Sequence, residues 1–257
     1  MIITLTTDFG LSDAFVGAMK GVILGINPRA RIVDISHDIP PQDIDHAAFI
    51  VRCAAPFFPR GTIHVVVVDP GVGTERLILA VRTADHLFLA PNNGVLKHVF
   101  DSHPDAEVFN VTHSEYFREH VSRTFHGRDI FAPVAAHLSK GLSPEKLGRP
   151  FTEFERGVVP RGVRLGDRIT GEVIAFDRYG NGITNIPAGW IDDPETVRIL
   201  VKGRVFESLA RSYLDVPQGD PLAIIGSADA VELSVNRGSA RETLDLKVGE
   251  TVTVIFR

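Results

Sequence analysis

The side chains of this sequence that could do chemistry collect where apolar runs stop. The first run ends in Thr7-Asp8-Phe9-Gly10, another in Asp69-Pro70-Gly71-Val72-Gly73, and a later one, Leu87-Phe88-Leu89-Ala90, in Pro91-Asn92-Asn93-Gly94. If these runs are strands of an open α/β sheet, each cluster lies beyond a carboxyl end, where such sheets bind ligands. Asp8 is placed to accept hydrogen bonds from two neighbouring hydroxyls of a ribose, or simply to cap the turn that follows. Gly71 and Gly73 suit a backbone nest for an anion. No Gly-Lys-Ser/Thr follows them, which excludes a phosphate loop, and a nucleoside triphosphate is not indicated. Arg76 lies seven residues past Asp69 across a tight turn, where it can fold back onto that carboxylate; most Asp and Arg so spaced are solvated surface charges. His126 precedes a stretch of helical period whose first turn holds Arg128 and Asp129. The positive end of a helix dipole opposes protonation, so a histidine there stays neutral and can accept a proton. Nothing in its spacing alone sets it apart among ten histidines.

Other polar groups have plainer readings. The run from His37-Asp38 through Asp43, Asp45 and His46 matches no dedicated zinc motif, and after Pro40-Pro41 the Asp43 side chain reads as a helix cap. No metal site is therefore expected. Cys53 is the single cysteine, cannot form an internal disulfide, and reads as a small buried hydrophobe in a reducing compartment. In the second half, Asp177-Arg178-Tyr179-Gly180-Asn181-Gly182 carries the Asn-Gly signal of a hairpin, yet also offers a carboxylate, an aromatic ring and an amide. Gly226-Ser227 and Asn236-Arg237-Gly238-Ser239-Ala240 add further polar loop atoms.

These clusters need a frame to hold them. Short β-branched runs alternate with helical periods over Ile2 to Thr6, Asp13 to Ile26, Arg31 to Ile35, Asp43 to Ala54 and Thr62 to Val68, a β-α-β-α-β series. Asp13 is expected to cap the first helix, Asn27-Pro28 to end it, and Gly127 to Lys140 to form a later helix stopped by Gly141. Strands joined by helices imply a largely parallel sheet covered on both faces. Past about residue 165 the text turns to β-rich runs with glycine turns, Ile169 to Phe176, Val197 to Val201, Leu222 to Ile225 and Val252 to Phe256, which predicts antiparallel β. The proline-containing segment 148–162 is read as the linker, giving an N-terminal α/β domain over 1–160 and a smaller β domain over 161–257. A length of 257 residues with 44% hydrophobic and 23% charged positions supports a core without staples. The net charge of -5 and the lack of a basic cluster argue against nucleic acid as a partner. No signal-peptide pattern and no run of eighteen apolar residues is present, so a cytoplasmic protein without a membrane partner is expected.

Taken together, the segments resemble the S-adenosyl-L-methionine hydroxide adenosyltransferase family, formerly a domain of unknown function and related to the fluorinases and chlorinases. The likeness is carried, in order, by Thr6-Thr7-Asp8-Phe9-Gly10-Leu11-Ser12-Asp13, the stretch Ile35 to Ile44, Val67 to Arg76, Ala90 to Leu96, Thr124 to Pro133, Asp177 to Asn185 and Val235 to Ala240. It covers nearly the whole chain. It implies an N-terminal α/β domain, a C-terminal β-barrel domain, and a homotrimer whose sites lie between the N-terminal domain of one subunit and the C-terminal domain of its neighbour. It also implies a catalytic triad of Asp69, Arg76 and His126, a ribose-binding Asp8, and Phe125 among the substrate contacts. On the C-terminal side it implies Asp177 at the methionine amino group and Asn181 on the adenine edge. Tyr179 and Tyr213 would stand against adenine, Ser227 at the methionine carboxylate, and the backbone of Arg237 near adenine.

The implied reaction is attack of water at C5′ of the ribose of S-adenosylmethionine, which is substrate and not cofactor, expelling methionine and leaving adenosine. No other cofactor is implied. A sulfonium already leaves well, so the difficulty is to hold a weak nucleophile about 3 Å from C5′ and in line with the C–S bond. Asp69 and His126 would orient the water and draw off its proton, with Arg76 fixing the carboxylate. Within the resemblance, a halogenase is the nearest rival. This sequence departs from it in having Asp69 where the fluorinase has an uncharged aromatic, and His126-Gly127 where it has tyrosine and serine. A carboxylate repels a halide by about 4 kcal/mol at about 4 Å with an effective dielectric near 20, which favours hydrolysis. A non-catalytic sensor of adenosine or S-adenosylmethionine, and a metal-dependent hydrolase built on the His37 to His46 cluster, are the readings from other classes.

Overall fold

The β-branched runs of the first half form strands β1 (Ile2–Thr7), β2 (Arg31–Ser36) and β3 (Ile63–Val67), joined by helices α1 (Phe15–Ile26) and α2 (Ile44–Ala54). The computed structural model describes all 257 residues. They fall into two compact units, Met1–Val159 and Pro160–Arg257. Within the first, β1 pairs in parallel with β2 on one side and β3 on the other. The chain then adds β4 (Ile78–Arg82), β5 (Leu87–Pro91) and β6 (Glu107–Asn110) in the order β2-β1-β3-β5-β4-β6, with only β4 running against its neighbours.

Both faces of this sheet are covered, and β3 shows how. Val65 and Val67 join a buried cluster with Met19 and Phe131, while Val66 and Val68 join another with Val51 and Phe88. A strand buried at every position is what two covered faces produce. Helices α1 and α4 (Ala132–Ser139) pack together over the first cluster, and α2 with α3 (Lys97–Ser102) over the second. Two local expectations need correction. Asp13 does not cap α1: bends over residues 11–14 follow Gly10, whose φ is 65°, and the helix begins at Phe15 with Ala14 at its N-cap and no side-chain cap. The later helix is not uniform either, since Gly127–Phe131 winds as a π-turn before α4 begins.

Residues 151–162 carry neither helix nor strand. The strands of the second unit pair antiparallel: β7 (Val163–Leu165), β8 (Arg168–Phe176), β9 (Gly182–Pro187), β10 (Val197–Val201), β11 (Arg204–Phe206), β12 (Pro221–Ile225), β13 (Ala230–Val235) and β14 (Thr251–Phe256). Their order is β11-β10-β14-β8-β9-β13-β12, with β7 on β8. A bridge from Ala210 to Ile224 brings the chain beyond β11 onto β12, so the sheet curls into a nearly closed barrel around Ile169, Val197, Val231 and Val252. A short helix, α5 (Ala240–Thr243), follows β13. No helix is long and apolar enough to cross a membrane.

Candidate functional site

The register of β1 on β3 pairs Thr7 with Val67, so the chain leaves both strands side by side. The connection from β1 goes to one flank and the return from β2 to the other, which makes this mouth the switch point of the sheet. A cleft of about 330 Å³ opens there, lined by Asp8, Gln42, Asp69, Phe125 and His126 among others.

Asp69 follows β3, and the turn 70–76 folds Arg76 back onto it. Arg76 Nε lies 3.0 and 2.8 Å from the two carboxylate oxygens and Nη2 2.5 Å from Oδ2. Both side chains are nearly buried, at 5% and 11% exposure. The bidentate fork is the geometry in which an arginine fixes a carboxylate in one orientation. Arg76 Nη2 also reaches His126 Nδ1 at 2.8 Å, so the three residues form one chain of hydrogen bonds. His126 is held below its ordinary pKa first by burial and then by the Arg76 charge, and is therefore neutral near pH 7. Burial and a guanidinium keep the proton off.

The loop that delivers His126 is tied down by a residue that no sequence pattern singles out. Asp129 is wholly buried, and its carboxylate accepts from Arg118 Nη1 at 2.9 Å, Ser122 N at 2.9 Å, and Arg128 Nε and Nη2 at 2.7 and 3.0 Å. Burial alone would raise its pKa; those bonds overcome it and hold the group well below the usual carboxylate range. The π-turn Gly127–Phe131 contains this anchor and begins at the cleft, which Gly127 lines, a placement such turns often have at functional sites.

Asp8 follows β1, and its Oδ2 accepts the backbone N–H of Gln42 at 2.8 Å. Gln42 adopts a φ of 66°, unusual for a residue with a Cβ. That conformation is invisible in the sequence, which is why Gln42 was missed. Asp43 caps α2 as expected, accepting His46 N at 2.9 Å, and His37 Nδ1 bonds Thr7 Oγ1 at 2.8 Å while its Nε2 lies 3.1 Å from Asp34. No group of three His, Cys, Asp or Glu side chains stands in metal-binding geometry. Phe125 packs edge to face against both Phe9 and Phe15, which are tilted on each other, with centroids 5.1 to 5.8 Å apart, giving the cleft an aromatic wall.

The residues expected on the C-terminal side gather in the second unit. Asp177 follows β8 and accepts Tyr179 N at 2.9 Å, Asn181 N at 2.8 Å and Asn181 Nδ2 at 2.9 Å. Gly180 (φ 83°) presses against Ser239, leaving no room for a Cβ. Tyr179 is exposed and Asn181 buried. Tyr213 donates to Glu232 Oε1 at 2.9 Å; burial and that carboxylate push its phenol up to about 12. Glu232, buried and also bonded by Ser234, is a second residue the sequence did not mark. Ser227 sits in the β12–β13 turn and Arg237 (φ 55°) in the turn after β13.

Family models describe both units: the SAM hydroxide adenosyltransferase N-terminal domain matches residues 3–148 and its C-terminal domain residues 171–253. The chain belongs to the SAM hydroxide adenosyltransferase family. Among its relatives, a protein of Thermus thermophilus named (R)-S-adenosyl-L-methionine hydrolase is 37% identical, over 97% of each chain. One of the same name from Methanocaldococcus jannaschii is 32% identical, over 99% of this chain and 96% of its own. A fluorinase of Actinoplanes sp. is more distant at 29% identity, over 98% and 97%. A crystal structure of an uncharacterized conserved protein from Thermotoga maritima superposes with a TM-score of 0.92 at 38% identity, covering 99% of this chain and 100% of that one. In this member of the family, Asp8, Phe125, His126, Asp69 and Arg76 converge on the first unit's cleft or beside it, and Asp177, Tyr179 and Asn181 share one turn of the second.

Proposed function

We propose that this protein hydrolyses S-adenosyl-L-methionine to adenosine and L-methionine, with water displacing methionine from C5′ of the ribose. The observation that carries the reading is the nearly buried carboxylate of Asp69, gripped by Arg76 and facing the cleft beside Asp8. A fixed anion there orients and deprotonates water, and it repels a halide. Full-length relatives named (R)-S-adenosyl-L-methionine hydrolase support the same activity, and their name points to the R sulfonium as the epimer to try first.

In this reading Asp69, Arg76 and His126 form the catalytic group. Asp8 takes the ribose hydroxyls, and Phe125 lines the sugar. Asp177 takes the methionine amino group and Ser227 its carboxylate, with Asn181, Tyr179, Tyr213 and the Arg237 backbone around adenine. The enzyme would act in the cytoplasm without a cofactor, as a homotrimer in which each site joins the N-terminal unit of one protomer to the C-terminal unit of the next. Incubation with S-adenosylmethionine in oxygen-18 water tests the chemistry: the label is expected in adenosine and not in methionine. Label in methionine, or a 5′-chloro-5′-deoxyadenosine product at high chloride, would overturn it.

A further inference from the structure

Arg76 divides the two hydrogens of Nη2 between Asp69 Oδ2, 2.5 Å away, and His126 Nδ1, 2.8 Å away. A guanidinium only donates, so Nδ1 of His126 accepts and carries no hydrogen. The single hydrogen of the neutral ring is then on Nε2. One hydrogen-bonded series thus runs from His126 through Arg76 to Asp69. In it the lone pair of His126 is already committed. Asp69 differs: two carboxylate oxygens offer about four acceptor positions, and Arg76 fills three of them, two sharing the single Nε hydrogen.

We propose that Asp69 takes the proton of the attacking water, and that His126 is a positioning residue which accepts from Arg76 and so aims the Arg76–Asp69 pair. The assignment rests on the hydrolase reading above. In the step, an oxygen lone pair of water forms the bond to C5′ as the C5′–S bond breaks, its electron pair returning to sulfur to give the neutral thioether of methionine. The O–H bond then breaks toward Asp69, which later releases the proton to solvent. Attack by neutral water generates a protonated alcohol, so strong an acid that a carboxylate clamped by arginine is base enough to receive its proton.

The charged groups around His126 are Arg76, Asp69 and Asp129, and the test separates them by replacing the ring with groups that keep or lose its acceptor. An asparagine oxygen can stand where Nδ1 stands. The turnover number for adenosine formation should fall by about 10²- to 10⁴-fold in Asp69→Asn, the range for loss of a general base. In His126→Asn it should fall by about tenfold or less, and in His126→Ala clearly further, the difference being rescue by the retained acceptor. Neutron diffraction of the wild-type protein should find the ring hydrogen on Nε2. Loss in His126→Asn as deep as in Asp69→Asn, or a hydrogen on Nδ1, overturns the assignment while leaving the hydrolase reading intact. Wild-type protein that forms no adenosine overturns the hydrolase reading and the proton transfer to Asp69 with it.

Discussion

At the scale of single residues, the site depends on one proton's absence. His126 can accept from Arg76 only while Nδ1 is bare, and protonation would set a cation against the guanidinium 2.8 Å away. Because burial and then the Arg76 charge hold its pKa below the ordinary value, the bare form persists to lower pH than for a free imidazole near 6.5. The acid-side fall of turnover should therefore lie below pH 6.5. A pH–rate profile at saturating substrate checks this, and an inflection at or above 6.5 counts against a neutral, arginine-bonded ring. The pairing of Asp69 with Arg76 was legible in the sequence because seven residues across a glycine turn bring the two ends together. Asp129 was not legible. Its importance comes from four donors that converge only in the fold, and an Asp beside an Arg in a helical first turn looks like any capping pair.

At the scale of elements, the site is two loops held against a pair of parallel strands. The alternation of strand and helix through Val68 could be read from period alone, and it places Asp8 and Asp69 at one mouth. β4 escaped that reading because its antiparallel place between β5 and β6 is a tertiary choice that a five-residue apolar run does not encode. The π-turn and the φ of 66° at Gln42 are likewise conformations imposed by their surroundings. The contact that locks the two loops together is Gly73: its φ is 79°, and a Cβ there would fall inside the carbonyl of Arg123. Gly73→Ala adds backbone strain and a clash, together costing on the order of 1–3 kcal/mol or more, and it pushes the His126 loop from the Arg76 loop. Thermal unfolding should move down, and turnover should drop while adenosine affinity, which the proposed function assigns to residues outside the Asp69–Arg76–His126 group, changes little. Equal loss of binding and turnover would mean that Gly73 supports the whole unit and not the alignment of the triad.

At the scale of the molecule, acid reaches the fold through its buried imidazoles. His64 is wholly enclosed, stacked on Phe88 and bonded to Thr4, and its pKa drops to about 3, by burial first and by neighbouring His86 second. The unfolded chain binds that proton near pH 6.5, so between these values it holds more protons than the native state and stability falls as pH falls, by up to about 1.4 kcal/mol per pH unit for this group. Stability from this source is complete above pH 6.5; urea midpoints at pH 7 and 5 should differ in that direction, and equal midpoints would mean that His64 protonates freely in the native state. The proposed trimer yields to complementation. Asp69→Asn disables the N-terminal unit, and Asp177→Ala the C-terminal unit, so each variant alone should be inactive. If every site draws its two units from different protomers, refolding the variants as an equal mixture gives about one site in four an intact pair, the chance of the right chain on each side of a cyclic interface. About a quarter of wild-type activity should then return, at a particle mass three times the 28.1 kDa chain. Sites built within one protomer would leave the mixture as inactive as its parts, since every chain carries one defect.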